Sequence, residues 1–388
     1  MTLLSWNHYL ELLQPAEELL ELTWAPGDEQ MRADLYRQQL MNLALGYFLY
    51  FQADPAHPDW APFLNSVFLL QPNPDDTYYL APICGEGTYR ISGERGSVHL
   101  LLFSIGKDMM GLSEQPGATF ANHDAETLSL AEGGAFEVLL SRERPDGHAG
   151  DWWALDPEAT YVMVRQRSYR WGVERDARLA IERLDAPAAD ARLEPAEVDR
   201  RMRELLGGFT QRLTRMWLRH QNGLRDRGQV NRLELTTFGG AVSGQSYWQS
   251  VFEVGPDDAL ILEVRLPETC RYWNVQLNDP LFNAIDYLRH QSSLNGSQVS
   301  VDADGCFRAV IAQRDPGVAN WLDTGGYSQG TLIGRWYEAS SHPLPTLTRV
   351  PLSALRERLP ASTSMLTAEQ RRTALADRRR GAQLRRRW

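Results

Sequence analysis

The chain is poor in lysine and in cysteine. Lys107 is its only lysine, so arginine supplies nearly all of the positive charge. The three cysteines, Cys84, Cys270 and Cys306, are odd in number and far apart. That spacing excludes a disulfide framework and a thiolate metal knuckle, and a reducing, cytoplasmic setting is expected. The most apolar stretch, 40–51, falls well short of the roughly 20 residues a membrane helix needs, so no membrane span is expected. The N-terminus carries acids early and has no basic stretch, so no secretory signal is expected. None of the eight histidines forms a His-x-His or His-x-x-x-His pair. A strand-to-helix glycine loop for phosphate is missing, as is a Gly-x-Ser-x-Gly elbow. A nucleotide cofactor and a hydrolase of the elbow type are both disfavoured.

What is present is an ordinary globular composition, 43% hydrophobic and 23% charged, over 388 residues. The net charge of −10 argues against a general nucleic-acid binder. The charge is uneven, because residues 349–388 hold eleven arginines against Glu357, Glu369 and Asp377. This basic tail reads as an amphipathic helix whose Leu375, Leu384 and Trp388 dock on a neighbouring subunit, giving a homo-oligomer.

Periodicity divides the chain. Residues 1–62 read as helical, with Leu and Trp at helical spacing and breaks at Pro15 and Pro26-Gly27. The period then changes to two through 63–190, with VFLL, TYYLAPI, TYRISG, SVHLLLFSIG, LSLA and AFEVLLS as strands. A connecting helix and polar linker fill 191–230. Strands resume over 231–348, and 349–388 is helical and basic.

The most informative feature is an internal repeat. LSLAEGGAFEVLLSRERP (128–145) aligns without gaps on VSVDADGCFRAVIAQRDP (299–316), at a constant offset of 171. The flanks extend the match: VF, Pro-Asp-Asp and two strands occur at 67–91 and at 251–275. Downstream, each copy has a Trp after a turn and an Arg thirteen or fourteen residues beyond it. The reading is a mainly β fold with α additions: two repeated jelly-roll or β-sandwich-like domains, a helical N-terminus, a connecting helix and a helical C-terminal tail. Gly133-Gly134 and Asp304-Gly305 suit the positive φ of tight hairpins.

NPDDTYY (73–79), followed by GTYRISG, resembles the Asn-x-Asp-Thr-x-Tyr segment of bacterial proteins named only as domain of unknown function 1254. NWLDTGG followed by GRWY resembles the Asn-Trp-Leu stretch and the Arg-aromatic strand of the companion domain 1214. The likeness spans about 66–337, with a shortened first half and with Asp323 where that family usually has an apolar residue or Pro. The resemblance implies jelly-roll domains, often in oligomers, and no agreed activity.

Candidate chemistry is then weighed against structural roles. Asn73, Asp75 and Asp76 suit a divalent cation or an acid–base pair, or else a turn that caps its own backbone. The polar cluster DYLRHQSSLNG (286–296) has no evident counterpart in the first copy, which favours it as a site. His290 titrates near neutrality and suits a general base, with Asp286 four residues earlier to orient it. Ser292, Ser293 and Asn295 offer hydrogen bonds to a substrate. In RDPGVANWLDTGG (314–326), Asp315 and Asp323 are further acid–base candidates, and Asn320 and Trp321 candidate site walls. Asp76, Tyr78 and Trp273 are expected to line a cleft, since adjacent aromatics on a strand point to opposite faces. An aromatic wall favours a flat apolar or sugar-like ligand. The expectation is an enzyme of lyase, isomerase or hydrolase type acting on a small apolar or cyclic molecule. The alternative is a non-catalytic small-molecule, carbohydrate-binding or assembly protein. No cofactor is expected beyond a divalent cation at the acidic pair.

Overall fold

A computed structural model describes residues 3–64, 68–69, 71–113, 115, 117–186, 192–238 and 242–385. It opens with α1 (Trp6–Glu11), a 3-10 segment (Gln14–Leu22) and α2 (Glu29–Tyr47). Asp28 caps α2 by accepting from the Met31 N–H, directly after the Pro26-Gly27 break.

The first half contains β1 (Ala61–Phe63), β2 (Asp76–Pro82), β3 (Tyr89–Glu94), β4 (Leu100–Gly106), β5 (Thr119–Asp124), β6 (Ala135–Ser141), β7 (Asp151–Ala154), β8 (Tyr161–Arg167) and β9 (Arg178–Arg183). A helix bridges to the second half as α3 (Pro195–Arg203), one π segment, and α4 (Thr210–Asp226). The second half contains β10 (Glu234–Thr236), β11 (Gln245–Glu253), β12 (Asp258–Arg265), β13 (Cys270–Asn278), β14 (Ser293–Asn295), β15 (Cys306–Ala312), β16 (Trp321–Asp323), β17 (Gln329–Ala339) and β18 (Thr346–Pro351). The chain closes with α5 (Leu355–Arg358) and α6 (Ala368–Leu384), the latter started by a Thr367/Gln370 capping box.

Each half is two sheets face to face. The orders are β1-β2-β8-β4-β5 over β7-β6-β3-β9, and β10-β11-β17-β13-β14 over β16-β15-β12-β18. The two lists correspond strand for strand. The segments 128–145 and 299–316 occupy the same place, at β6 and β15, and their turns match bond for bond. Ala131 N–H bonds to Ala135 O and Gly134 N–H to Ala131 O; Asp302 N–H bonds to Cys306 O and Gly305 N–H to Asp302 O. Gly134 and Gly305 take φ of +82° and +78°, which only glycine adopts freely.

Two sequence readings need correction. The Pro-Asp-Asp segments are not equivalent: one leads into β2, the other into β12, the counterpart of β3. A slip of one whole strand preserves a period-two pattern, so the sequence could not reject it. LSLA forms no strand, and the described residues of VFLL, Phe68 and Leu69, form none either.

Helices cover the outer face of the first half's larger sheet. Tyr78, Leu80, Tyr161 and Met163 pack there against Met41, Leu45, Leu205, Phe209 and Leu213. Each fully buried large side chain contributes roughly 1.5–3 kcal/mol by leaving water. The basic tail packs on its own chain. Arg371, Arg378 and Arg385 recur every seven residues and so share one helical face. Arg371 bonds Asp315, Gln291 and the Val318 carbonyl, Arg378 bonds Ser293 and the Tyr287 carbonyl, and Arg385 bonds the Pro74 and Asp75 carbonyls. The arginine face expected to meet a second subunit is therefore engaged internally. Leu375 is half-buried and Leu384 exposed, while Trp388 lies outside the described residues.

Candidate functional site

The loop carrying His290 joins β13 to β14, so its positional counterpart is the β4–β5 connection at 107–118. His290 is half-exposed, and its Nδ1 lies 2.8 Å from Asp323 Oδ2. That carboxylate raises the imidazole above its ordinary pKa, against the opposing effect of partial burial. Asp286 does not orient the ring. Its Oδ1 accepts the Leu288 and Arg289 N–H groups, so it caps the turn it sits in. Ser292 donates to the Ile285 carbonyl, and Ser293 accepts from Arg378. Both are buried and held by protein partners.

The 314–326 loop is scaffold at most of its positions. Asn320 Oδ1 accepts the Ser300 N–H, as Asp151 Oδ2 accepts the Ser129 N–H in the first half. Trp321 Nε1 donates to the Ala312 carbonyl, as Trp152 Nε1 donates to Ser141 Oγ. The Asx–backbone bond is the same in both halves, and each indole N–H is held at the equivalent position, by a backbone carbonyl in one half and a hydroxyl in the other, so Asn320 and Trp321 serve the scaffold. Asp315 pairs with Arg371 at 3.1 Å and caps Gly317. Asp323 instead turns to the imidazole of His290.

The 73–76 segment is a hook between the halves. Asn73 Nδ2 donates to Tyr272 Oη, and Asn274 Nδ2 donates back to Asn73 Oδ1. Asp75, almost fully buried, accepts from Tyr272 Oη at 2.5 Å, Asn295 Nδ2 at 2.7 Å and Trp171 Nε1 at 2.8 Å. Burial pushes its carboxyl up, against those three hydrogen bonds. Asp76 is held by Arg167 in a bidentate pair at 2.6 and 2.8 Å. Burial pushes Asp76 up, but the guanidinium overrides it and holds the carboxyl below the ordinary range. Asp76, Tyr78 and Asn295 thus converge on the seam between the halves. Trp273 does not: it is in the second core, and its neighbour Tyr272 faces the seam. Arg167 carried no signal in the sequence pattern, because a strand arginine reads as an exterior position, and the repeat marked Arg335 without showing that it is buried.

The two sandwich interiors differ at one end. Arg165 pairs across the sheet with Tyr78 and Leu102, and Arg335 with Tyr247 and Asn274, which fixes the correspondence. It follows that Tyr79, Leu101, Val164 and Gln166 match Trp248, Trp273, Gly334 and Trp336. In the second half the three tryptophans fill the interior, with ring centres 5.8 and 6.3 Å apart. Gly334 makes room for them: a Cβ there would lie 1.9 Å from the Trp248 ring.

In the first half the same end is a cleft of about 580 Å³, lined by Trp60, Tyr79, Ser92, Gly93, Gln166 and Leu179 among others. Gln166 Oε1 accepts the Ala177 N–H at 2.6 Å, which fixes the amide orientation. Its Nε2 has no acceptor among the described residues and is not sealed from water. The Glu94–Arg178 pair, 3.1 Å apart, guards the rim. Gly93 is required because a Cβ would strike the Arg178 carbonyl at 1.9 Å.

The family model described as "Protein of unknown function (DUF1214)" matches residues 257–341, from the turn before β12 to just past β17. A solved structure of an uncharacterized protein from Burkholderia cenocepacia is similar over 90% of this chain and 97% of its own, at 28% identity and a TM-score of 0.80. The VPA0106 protein from Vibrio parahaemolyticus aligns over 88% of this chain and all of its own, at 12% identity and a TM-score of 0.45. No curated protein matches. Among the described residues, no helix is long and apolar enough to cross a membrane.

Proposed function

We propose that this protein binds a small, flat, largely apolar molecule in the cleft of its first half, a half of the 1254 type. One observation carries this reading: the interior end filled by Trp248, Trp273 and Trp336 in the second half is open around Tyr79 and Gln166 in the first. The aromatic walls suit a ring, and the unpartnered Gln166 Nε2–H suits a hydrogen-bond acceptor on it, such as a carbonyl or hydroxyl oxygen. The test is retention of compounds from a small-molecule extract by the purified chain. Gln166→Trp, which copies the second half, should fold normally by circular dichroism and retain nothing. Equal retention by that variant, or none by the unaltered chain, overturns the reading.

A second reading is catalytic, and the His290–Asp323 pair favours it. Asp323 holds one imidazole nitrogen while Nε2 has no partner among the described residues, as in a general base awaiting substrate. Turnover of a retained compound that His290→Gln abolishes would place the protein among enzymes of the lyase, isomerase or hydrolase type.

A further inference from the structure

Two arginines on the seam use the same edge differently. Arg167, 1% exposed, directs its Nε and Nη2 to the two oxygens of Asp76. Arg335, 3% exposed, directs Nη1 to Asn274 Oδ1 at 3.2 Å and to Gln276 Oε1 at 2.6 Å. Its guanidinium lies over the Tyr247 ring, 5.5 Å from the centre. Arg335 has no ion-pair partner among the described residues, and its Nε and Nη2 have no acceptor there. Neither nitrogen belongs to the sealed polar atoms. A guanidinium cannot shed its proton to escape burial, so a buried one with free N–H groups calls for an acceptor. Two parallel N–H groups on one planar edge match the two oxygens of a carboxylate.

We propose that the free edge of Arg335 is a binding site for the carboxylate of a small organic acid, seated on the seam between the two halves. Arg165, the first-half counterpart of Arg335, is also buried and donates to Ser104 Oγ. It lies over the Tyr78 ring at 6.0 Å as Arg335 lies over Tyr247. The charges of both arginines help hold the Asp76 carboxyl down. The acceptors on Arg335 Nη1 are neutral amides, and the nearby Asp76 carboxylate is already taken by Arg167, so the site keeps a net attraction for an anion. This site lies apart from the cleft and does not rest on the cleft's having a ligand.

The experiment is calorimetric titration of the full chain with acetate and benzoate, and with benzamide as the uncharged counterpart of benzoate. At least one of the two carboxylates should bind one-to-one, and benzamide should not compete with it. Arg335→Gln should weaken that binding at least roughly tenfold, and Arg335→Lys by less, because it keeps the charge but loses the fork. Gln166→Trp should leave it unchanged, which separates this site from the cleft. Absence of binding by both carboxylates, or wild-type affinity in Arg335→Gln, overturns the proposal. Should Arg335→Gln fail to fold, crystals of the unaltered chain soaked with the binding carboxylate decide: its oxygens lie on Arg335 Nε and Nη2, or the proposal fails.

Discussion

The two halves share a strand order and differ in what fills it. The second half spends its large aromatics inside, with Trp248, Trp273, Trp336 and Phe307 in one core. The first half places Tyr79, Leu101, Gln166 and Phe136 at the matching positions and leaves a cleft. One backbone plan thus tolerates either a closed or an open interior, provided the sheets stay paired. A second contrast lies on the outer faces of the same sheets. Asp76 and Arg167 form a cross-strand ion pair, while their counterparts Gln245 and Tyr337 form none, and Gln245 Oε1 accepts from Arg167 across the seam.

Exchanging the two interiors should have the largest effect. Trp336→Gln puts the first-half residue into the closed core, and should cost about 4 kcal/mol in urea denaturation, as large-to-small core changes do. The reciprocal Gln166→Trp fills existing space but removes the acceptor of the Ala177 N–H, and should cost about 1–3 kcal/mol. Equal costs for the two would mean that the cleft is as tightly packed as the closed core.

Asp76→Asn comes next. It keeps the shape but leaves Arg167 buried without its carboxylate, and should cost roughly 3 kcal/mol by the same measurement. A loss below about 1 kcal/mol would show that Gln245 and the Tyr272 ring, 4.2 Å from the guanidinium, already satisfy it.

The smallest effect concerns His290, which the first half has no equivalent for, since Ala154 stands opposite Asp323 in the strand order. The imidazole pKa is raised in the folded chain. The stabilisation is therefore fully present below the unfolded value, near 6.5, and is lost as pH rises through the folded value. With the side chain partly exposed, the change should stay below about 1 kcal/mol. Denaturation midpoints between pH 5.5 and 8.5 should fall slightly with pH in the unaltered chain and flatten in Asp323→Asn.

Much of the architecture was legible because it is written locally. Alternation marked β6 and β15, the Gly134 and Gly305 turns fixed their register, and helical spacing marked α2, α4 and α6. The cleft was partly legible too. Aligning the Arg that follows each Trp, Arg165 with Arg335, sets Gln166 against Trp336 and exposes the missing volume. The roles of individual polar residues were not legible. Asp286 and His290 are close in sequence, yet Asp286 turns to its own backbone and Asp323, from another strand, takes the imidazole.

The sequence by itself determined a doubled β plan, its helical additions, its acidic body and its basic tail, since period, composition and charge act over a few residues. Only the closed fold settled that the tail straps its own chain, that Asn73 and Asp75 fasten one half to the other, and that Arg167 finds a carboxylate while Arg335 finds none among the described residues. The physical reason is reach. Asp75 and Asn295 are 220 residues apart, and Arg385 and Asp75 are 310 apart. Which partner a buried charge meets depends on which faces abut once the sheets have closed, and no local pattern carries that information.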